Sequence, residues 1–262
     1  MATPVAFSFS VKGCEARDVL DELRRSGLLS GTSENYQLPP MRRNGCPDEA
    51  ALTARALAVW RETRPTDGTI VETYLANRGL LLPSPRCLRF HPGCPHPSDR
   101  RYPAMVALVE HSERGPVGVH RTYLRFDGSG KAAVETTKAS LGPIAGGAVQ
   151  LATIQPGRWT LIAEGIETAL SVGQSCGLPA WAALSAGGIR NLVLPPSANM
   201  VVICADNDAN GVGQRAANAA AERFLAEGRR VRIALPPTSG LDFNDLLHGS
   251  ASARFDEKRH VA

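Results

Sequence analysis

The chain has 262 residues, 43% of them hydrophobic, so a real core can be buried in one large domain or two small ones. No apolar run approaches the ~18 residues of a membrane span, and MATPVAFSFSVKG lacks the pattern of a secretory signal. With six scattered cysteines (Cys14, Cys46, Cys87, Cys94, Cys176, Cys204) and no CxxC, reduced thiols, a cytoplasmic location and no membrane partner are expected.

The net charge of +4 sits in the first part of the chain. Residues 1–150 hold 19 Lys+Arg against 15 Asp+Glu, whereas residues 151–262 balance at 10 each. Arginine supplies 25 of the 29 basic residues. It suits bidentate phosphate contacts, but a GC-rich genome gives the same bias, so charge alone is weak evidence for nucleic acid.

Residues 1–47 read as an N-terminal segment and linker. CEARDVLDELRRSGLL could form a short amphipathic helix from about Glu15 to Arg25, and SGTSENYQLPPMRRNGCP is linker-like. At Pro47-Asp48 a helix is predicted, with Leu52, Ala56, Val59 and Trp60 on one face. A second, GTIVETYLANRGL, should stop at Gly79. After Pro85 the texture turns β-rich: RCLRF, YPAMVALVEH, GPVGVHRTYLRFDGSGKA and AVQL read as strands of one small unit. From Trp159 the pattern is β-α-β. WTLIAEG, PAWAALS, NMVVICAD and RRVRIALPP are strands. IETALSVGQSCG and VGQRAANAAAERFLAEG are helices closed by Gly177 and Gly228, GGIRNLVLPPS carries a short helix, and LDFNDLLHG ends the unit. Strands separated by such helices argue for a parallel sheet covered on both faces, with ligands at the carboxyl ends of its strands.

That edge collects acids. Glu164 follows TLIA, Asp206 and Asp208 follow VVICA, and Asp242 and Asp245 come after RVRIALPP and a turn. Like charges this close repel unless cations are present, and carboxylate oxygens are the ligands Mg²⁺ prefers. Singly, a Glu-Gly is most often a turn and an Asp-x-Asp an Asx-turn or helix cap; the order and spacing together are more specific. Two ions there would make a two-metal phosphoryl-transfer site.

LIAEGIETALS, ALSAGGIRNL, VVICADNDANG and LDFNDLL resemble the Toprim domain shared by bacterial-type primases, topoisomerases and some nucleases. The similarity is closest to primase-like Toprim proteins of phages, plasmids and integrated elements. It continues upstream through GTIVETYLANRGL, LRFHPGCPH, YPAMVALVEH, GVHRTYLRFDGSGKA and GGAVQL, covering roughly residues 48–248. The resemblance implies an α/β fold: a primase-type α+β subdomain over 48–157, a Toprim domain over 158–248 and a tail over 249–262. By the same resemblance, Glu164 would be the general acid or base at the reacting hydroxyl and a metal neighbour. Asp206 and Asp208 would be the Mg²⁺-binding (or Mn²⁺-binding) pair. Gly211 would let the long helix begin beside them, and Asp242 and Asp245 would be further acids. Gly187 and Gly188 would lie near the nucleotide, and Arg121 and Lys138 would be basic positions upstream. Chromosomal primases add a zinc ribbon and a helicase-binding domain; no ribbon spacing occurs here, and the chain ends about 14 residues after the Toprim unit.

Other features are weaker. Glu167, one helical turn after Glu164, could serve a second metal or simply favour the helix N-terminus; a site-facing role is expected. Cys87, His91, Cys94 and His96 have the spacing C-x3-H-x2-C-x-H, but Cys87 would lie in a strand and the rest in a Pro-rich loop, so ordinary contacts are expected rather than zinc. His120 reads as a strand residue. DGSGK at 127–131 lacks the spacing of a P-loop and reads as a hairpin turn. From Arg86 to Lys138 nine Lys/Arg stand against five acids; with Arg125 and Lys131 in it, this stripe is a phosphate-binding face or a solvated one.

The leading expectation is a Mg²⁺-dependent primase-type nucleotidyltransferase of mobile-element replication, acting on single-stranded DNA and NTPs. A replicative helicase, if it is a partner, would be encoded separately. A Toprim nuclease with the same acids is the first alternative. A non-catalytic nucleic-acid-binding or inhibitor protein on the same fold is the second.

Overall fold

Asp48 opens the described part of the chain: residues 48–83, 87–207, 211–236 and 243 are described in the computed structural model. The predicted helix near Glu15–Arg25, the linker, Arg86, Asp208, Asp242, Asp245 and the tail lie outside them. The Asp48 carboxylate accepts from the Ala50 N–H at 3.0 Å and caps α1 (Glu49–Arg61). Ala56 and Val59 are its buried residues, with Leu57 and Trp60 packed beside them. Thr69 caps α2 (Ile70–Ala76), which buries Val71, Tyr74 and Leu75. Gly79, expected as the stop signal, has φ +64, a conformation that glycine adopts without strain.

Four strands follow: β1 (Leu88–Pro95), β2 (Arg101–His111), β3 (Gly115–Tyr123) and β4 (Lys138–Leu141), antiparallel in that order. Alternation divides their side chains. Ala104, Val106, Leu108, Val119 and Tyr123 join the α1 side, while Met105, Ala107 and Val109 turn to the opposite core. The expected loop at FHPGCP is a correction: β1 runs through to Pro95, with its register shifting between His91 and Cys94. A bulge on an edge strand accommodates Pro92, which has no N–H for the ladder.

The second sheet comprises β5 (Val149–Gln150), β6 (Thr160–Ala163), β7 (Ala180–Ala182), β8 (Met200–Cys204) and β9 (Arg230–Ala234), in the order β5-β7-β6-β8-β9. All pairs are parallel except β5 with β7. AVQL, expected as a strand of the first β unit, instead edges the second sheet through β5. Ala148 exchanges both backbone hydrogen bonds with Glu110 of β2, at 2.9 and 3.0 Å, and staples the two sheets.

Helix α3 (Ile166–Cys176) fills the space between the sheets. Its Ile166, Ala169 and Val172 share a core with Leu161 and Ala163 of β6 and with Met105, Ala107 and Val109 of β2. The other face of the parallel sheet, through Ile162, Val201 and Ile203, packs on α4 (Ala186–Asn191) and α5 (Val212–Ala226) by way of Ile189, Ala217, Ala220 and Phe224. The layers therefore run α1, antiparallel sheet, α3, parallel sheet, α4 with α5. Much of the arginine holds this framework. Arg223 donates to the carbonyls of Arg190 and Leu192, and Arg229 to those of Leu194, Pro195 and Ala198. No helix among the described residues is long and apolar enough to cross a membrane.

Candidate active site

The parallel register decides which acids can meet. Ala163 ends β6 directly beside Cys204, which ends β8. Glu164 is the next residue on one strand and Asp206 the second on the other, so neighbouring strands deliver both to one edge. Each is partly exposed. The Glu164 carbonyl accepts from the Leu184 N–H at 2.8 Å, which ties the end of β7 to the same edge. Leu184 has φ +71, a left-handed conformation that is strained for a branched side chain. Nothing in the sequence marks it.

Asn207 fixes the loop after β8. Its amide donates to the Pro236 carbonyl at 2.9 Å, and its Oδ1 accepts from Gln214 Nε2 at 3.0 Å. One side chain thus joins the ends of β8 and β9 to the first turn of α5. Gly211, at φ +65, starts that helix. Gly188 has a packing reason: a Cβ there would collide with the Ala183 carbonyl oxygen. Its N–H donates to the capping Ser185 Oγ at 2.9 Å, and Gly187 stands exposed beside it on the short α4.

Glu167 is elsewhere engaged. It is 7% exposed. Tyr74 Oη donates to Oε1 at 2.7 Å, Lys138 Nζ to Oε2 at 3.2 Å, and Lys131 Nζ lies 3.6 Å from Oε1. Burial alone would raise its carboxyl, but the charges of Lys138 and Lys131 and the Tyr74 hydroxyl outweigh this and hold it at about 2. The same contact, after burial itself, pushes the Tyr74 phenol well above its usual range. Burial lowers Lys131, against the pull of Glu167. His120 lies near; burial and then the Lys138 charge depress it to about 4, so it is neutral at pH 7. The expected site-facing carboxylate is a junction between α2, β4, the β3–β4 connection and α3. Tyr74, its third partner, read only as one residue of the second helix.

Arg121 is also placed against expectation. It is 7% exposed, on the α1 side of β3 with Val119 and Tyr123. Its guanidinium donates to the carbonyls of Pro95 (2.9 Å), Ala139 and Ser140 (both 3.3 Å). Strand parity buries it away from Lys138. Arg125 is exposed, and Lys131 and Lys138 keep about a third of their side chains exposed.

The Cys/His run is dispersed. His91 Nε2 meets Glu62 at 3.2 Å, and His96 lies between Ser98 Oγ (2.7 Å) and the Thr136 carbonyl (2.9 Å). Burial pushes the Cys87 and Cys94 thiols up to about 11. Burial likewise takes Cys204, beside the acidic edge, to about 12, which leaves no thiolate nucleophile there. Among the described residues no three His, Cys, Asp or Glu side chains gather as a metal cage.

Residues 50–151 match a domain of unknown function, DUF7146, and residues 159–253 match the Toprim domain. No curated protein matches the chain. Among solved structures, the zinc-binding and RNA polymerase domains of the Aquifex aeolicus primase align with a TM-score of 0.54 at 13% identity, over 88% of this chain and 63% of that one. The DnaG primase catalytic domain bound to ssDNA aligns with a TM-score of 0.51 at 18% identity, over 76% of this chain and 75% of that one. Residues 159–253 of this chain are a Toprim domain, and the antiparallel subdomain before it completes a fold similar, at low identity, to DnaG-type primase catalytic cores.

Proposed function

We propose that this protein is a Mg²⁺-dependent primase-type nucleotidyltransferase acting on single-stranded DNA. The observation that carries the reading is the delivery of Glu164 and Asp206 by the adjacent strands β6 and β8 to one edge, with Lys131 and Lys138 one helical turn away on Glu167. The likeness in fold to a catalytic domain bound to ssDNA supports it.

The donors at that edge suit a hard cation. Glu164 and Asp206 offer carboxylate oxygens, whereas the thiol there, Cys204, is protonated. Glu164 and Asp206 would hold the ion, joined in this proposal by Asp208, Asp242 and Asp245. When bound, Mg²⁺ neutralises triphosphate charge and lowers the pKa of an attacking 3′-hydroxyl.

The chain's own residues do the rest. Glu164, partly exposed at a rigid strand end, accepts the hydroxyl proton. Lys131 and Lys138 present ammonium groups to phosphate oxygens, kept in place by Glu167. Asn207 holds the β8 loop, so that Asp206 keeps its position as substrate binds. Phosphoryl transfer asks mainly for such positioning and charge.

The test incubates the full chain with single-stranded DNA, labelled NTPs and Mg²⁺ or Mn²⁺, and reads new RNA and cut template on one gel. Short RNA products that require NTPs and metal are expected. Cleaved template without RNA would replace this reading with a Toprim nuclease. Neither product, with DNA still bound, would replace it with a binding or inhibitor protein.

A further inference from the structure

The connection between β3 and β4 holds a side chain that the proposed chemistry does not use. Phe126 is 78% exposed, the one aromatic ring among the described residues that stands mostly in water. The other exposed large apolar side chains, such as Leu81 and Leu225, belong to other elements.

Its exposure does not come from a loose loop. Leu124 pairs with Lys131 across the hairpin. The Arg125 N–H donates to the Gly130 carbonyl at 2.9 Å, and the Gly128 N–H to the Arg125 carbonyl at 3.0 Å. The Asp127 carboxylate accepts from the Ser129 N–H at 2.9 Å and is thereby occupied within the turn. Gly128 has φ +71 and lies so close to α2 that a Cβ there would come within 2.7 Å of the Ile70 carbonyl oxygen. A rigid turn, seated on a helix, therefore holds the ring out.

The ring stands between an exposed cation and an exposed anion: Asp127 follows it, and its hydrogen bonds within the turn favour the ionised carboxylate. Arg125 precedes it and is exposed. Lys131 closes the hairpin and reaches Glu167 together with Lys138, and Glu167 is three residues from Glu164. A flat apolar face on a fixed frame, with Arg125 before it and Lys131 closing the same hairpin, matches one unstacked nucleobase with its neighbouring phosphates. A protein partner would call for a contiguous apolar patch, and the turn carries one ring.

We propose that Phe126 stacks on a base of single-stranded DNA and so holds the strand where its phosphates meet Lys131 and Lys138. This rests on the nucleic-acid reading of the site.

The experiment measures binding of fluorescently labelled oligo-dT by anisotropy across a salt series, for wild type, Phe126→Ala, Phe126→Leu and Phe126→Trp. Loss of stacking should weaken Phe126→Ala roughly 5- to 100-fold. The slope of log K against log salt should stay unchanged, since no ionic contact is removed. Leucine should not restore binding, whereas tryptophan should. The thermal midpoints should agree, because the ring is not part of the core. The proposal is overturned if Phe126→Ala binds like wild type, or if leucine restores full affinity. It is equally overturned if the alanine variant changes only the KM for NTP, or only self-association by sedimentation. Wild type that binds no oligo-dT at any salt removes the nucleic-acid reading itself, and this proposal with it.

Discussion

Glu164 and Glu167 are the same residue type, one helical turn apart, and the fold treats them oppositely. Glu164 sits where a strand ends, partly exposed, on the edge that also receives Asp206. Glu167 points from α3 toward the antiparallel sheet and is locked by a phenol and two ammonium groups. A carboxylate at an open strand end can exchange protons and ligands. One sealed by three partners at about 2 stays ionised and works as a fastener. Proximity in sequence to a catalytic position is therefore a poor guide to role; the layer that a side chain faces decides.

The largest expected effect is on chemistry. Glu164→Gln should lower product formation by ~10²–10⁴-fold, the usual worth of general acid–base assistance, with unchanged oligo-dT affinity and thermal midpoint. Near-normal primer synthesis by this variant would remove Glu164 from the proton transfer. Glu167 should instead govern stability. Glu167→Ala leaves Lys131, Lys138 and Tyr74 around an empty space and should cost about 3 kcal/mol in urea unfolding, toward the low end for a broken buried pair because both lysines are one-third exposed. An unshifted urea midpoint would show that the junction holds nothing together.

Acid should separate the groups further. His120 is held down to about 4, so the unfolded chain takes up a proton near pH 6.5 that the folded protein refuses. Stability should fall as the pH drops from 6.5 towards 4. Glu167, held at about 2, contributes fully above pH 4.5 and loses that contribution as the pH falls towards 2. His120→Gln should flatten the upper stage and leave the lower one. An unchanged urea-midpoint slope between pH 6.5 and 4.5 would exclude His120 as its source. The smallest effect concerns phosphate contacts. Lys138→Gln should reduce the salt slope of single-strand binding by about 0.7, while Arg121→Gln should leave that slope alone and lower stability. A slope that responds to Arg121 and not to Lys138 would reverse the assignment of the two faces.

Much of the second sheet was legible because its signals are local. TLIA and VVIC are short apolar runs, and the long helices that follow them end at Gly177 and Gly228, both at positive φ. The positions of Glu164 and Asp206 were legible for the same reason, as acids one and two residues after buried strand ends. What escaped depends on distant partners. Whether Arg121 faces α1 or Lys138 turns on a one-residue parity within β3, and a basic stripe looks the same either way. Glu167 needed Tyr74 from a helix more than 90 residues earlier. AVQL needed Ala182 as its neighbour rather than the strands before it. Asp208, Asp242 and Asp245 lie outside the described residues, so their part in the edge remains a proposal.

The contrast between the two glutamates is most directly tested by calorimetric titration of Mn²⁺ into wild type, Asp206→Asn and Glu167→Gln, with circular dichroism to confirm that each variant is folded. If the strand ends hold the metal, Asp206→Asn loses most of the binding and Glu167→Gln keeps it. Loss of Mn²⁺ binding in Glu167→Gln as large as that in Asp206→Asn would contradict the division and return Glu167 to the metal site.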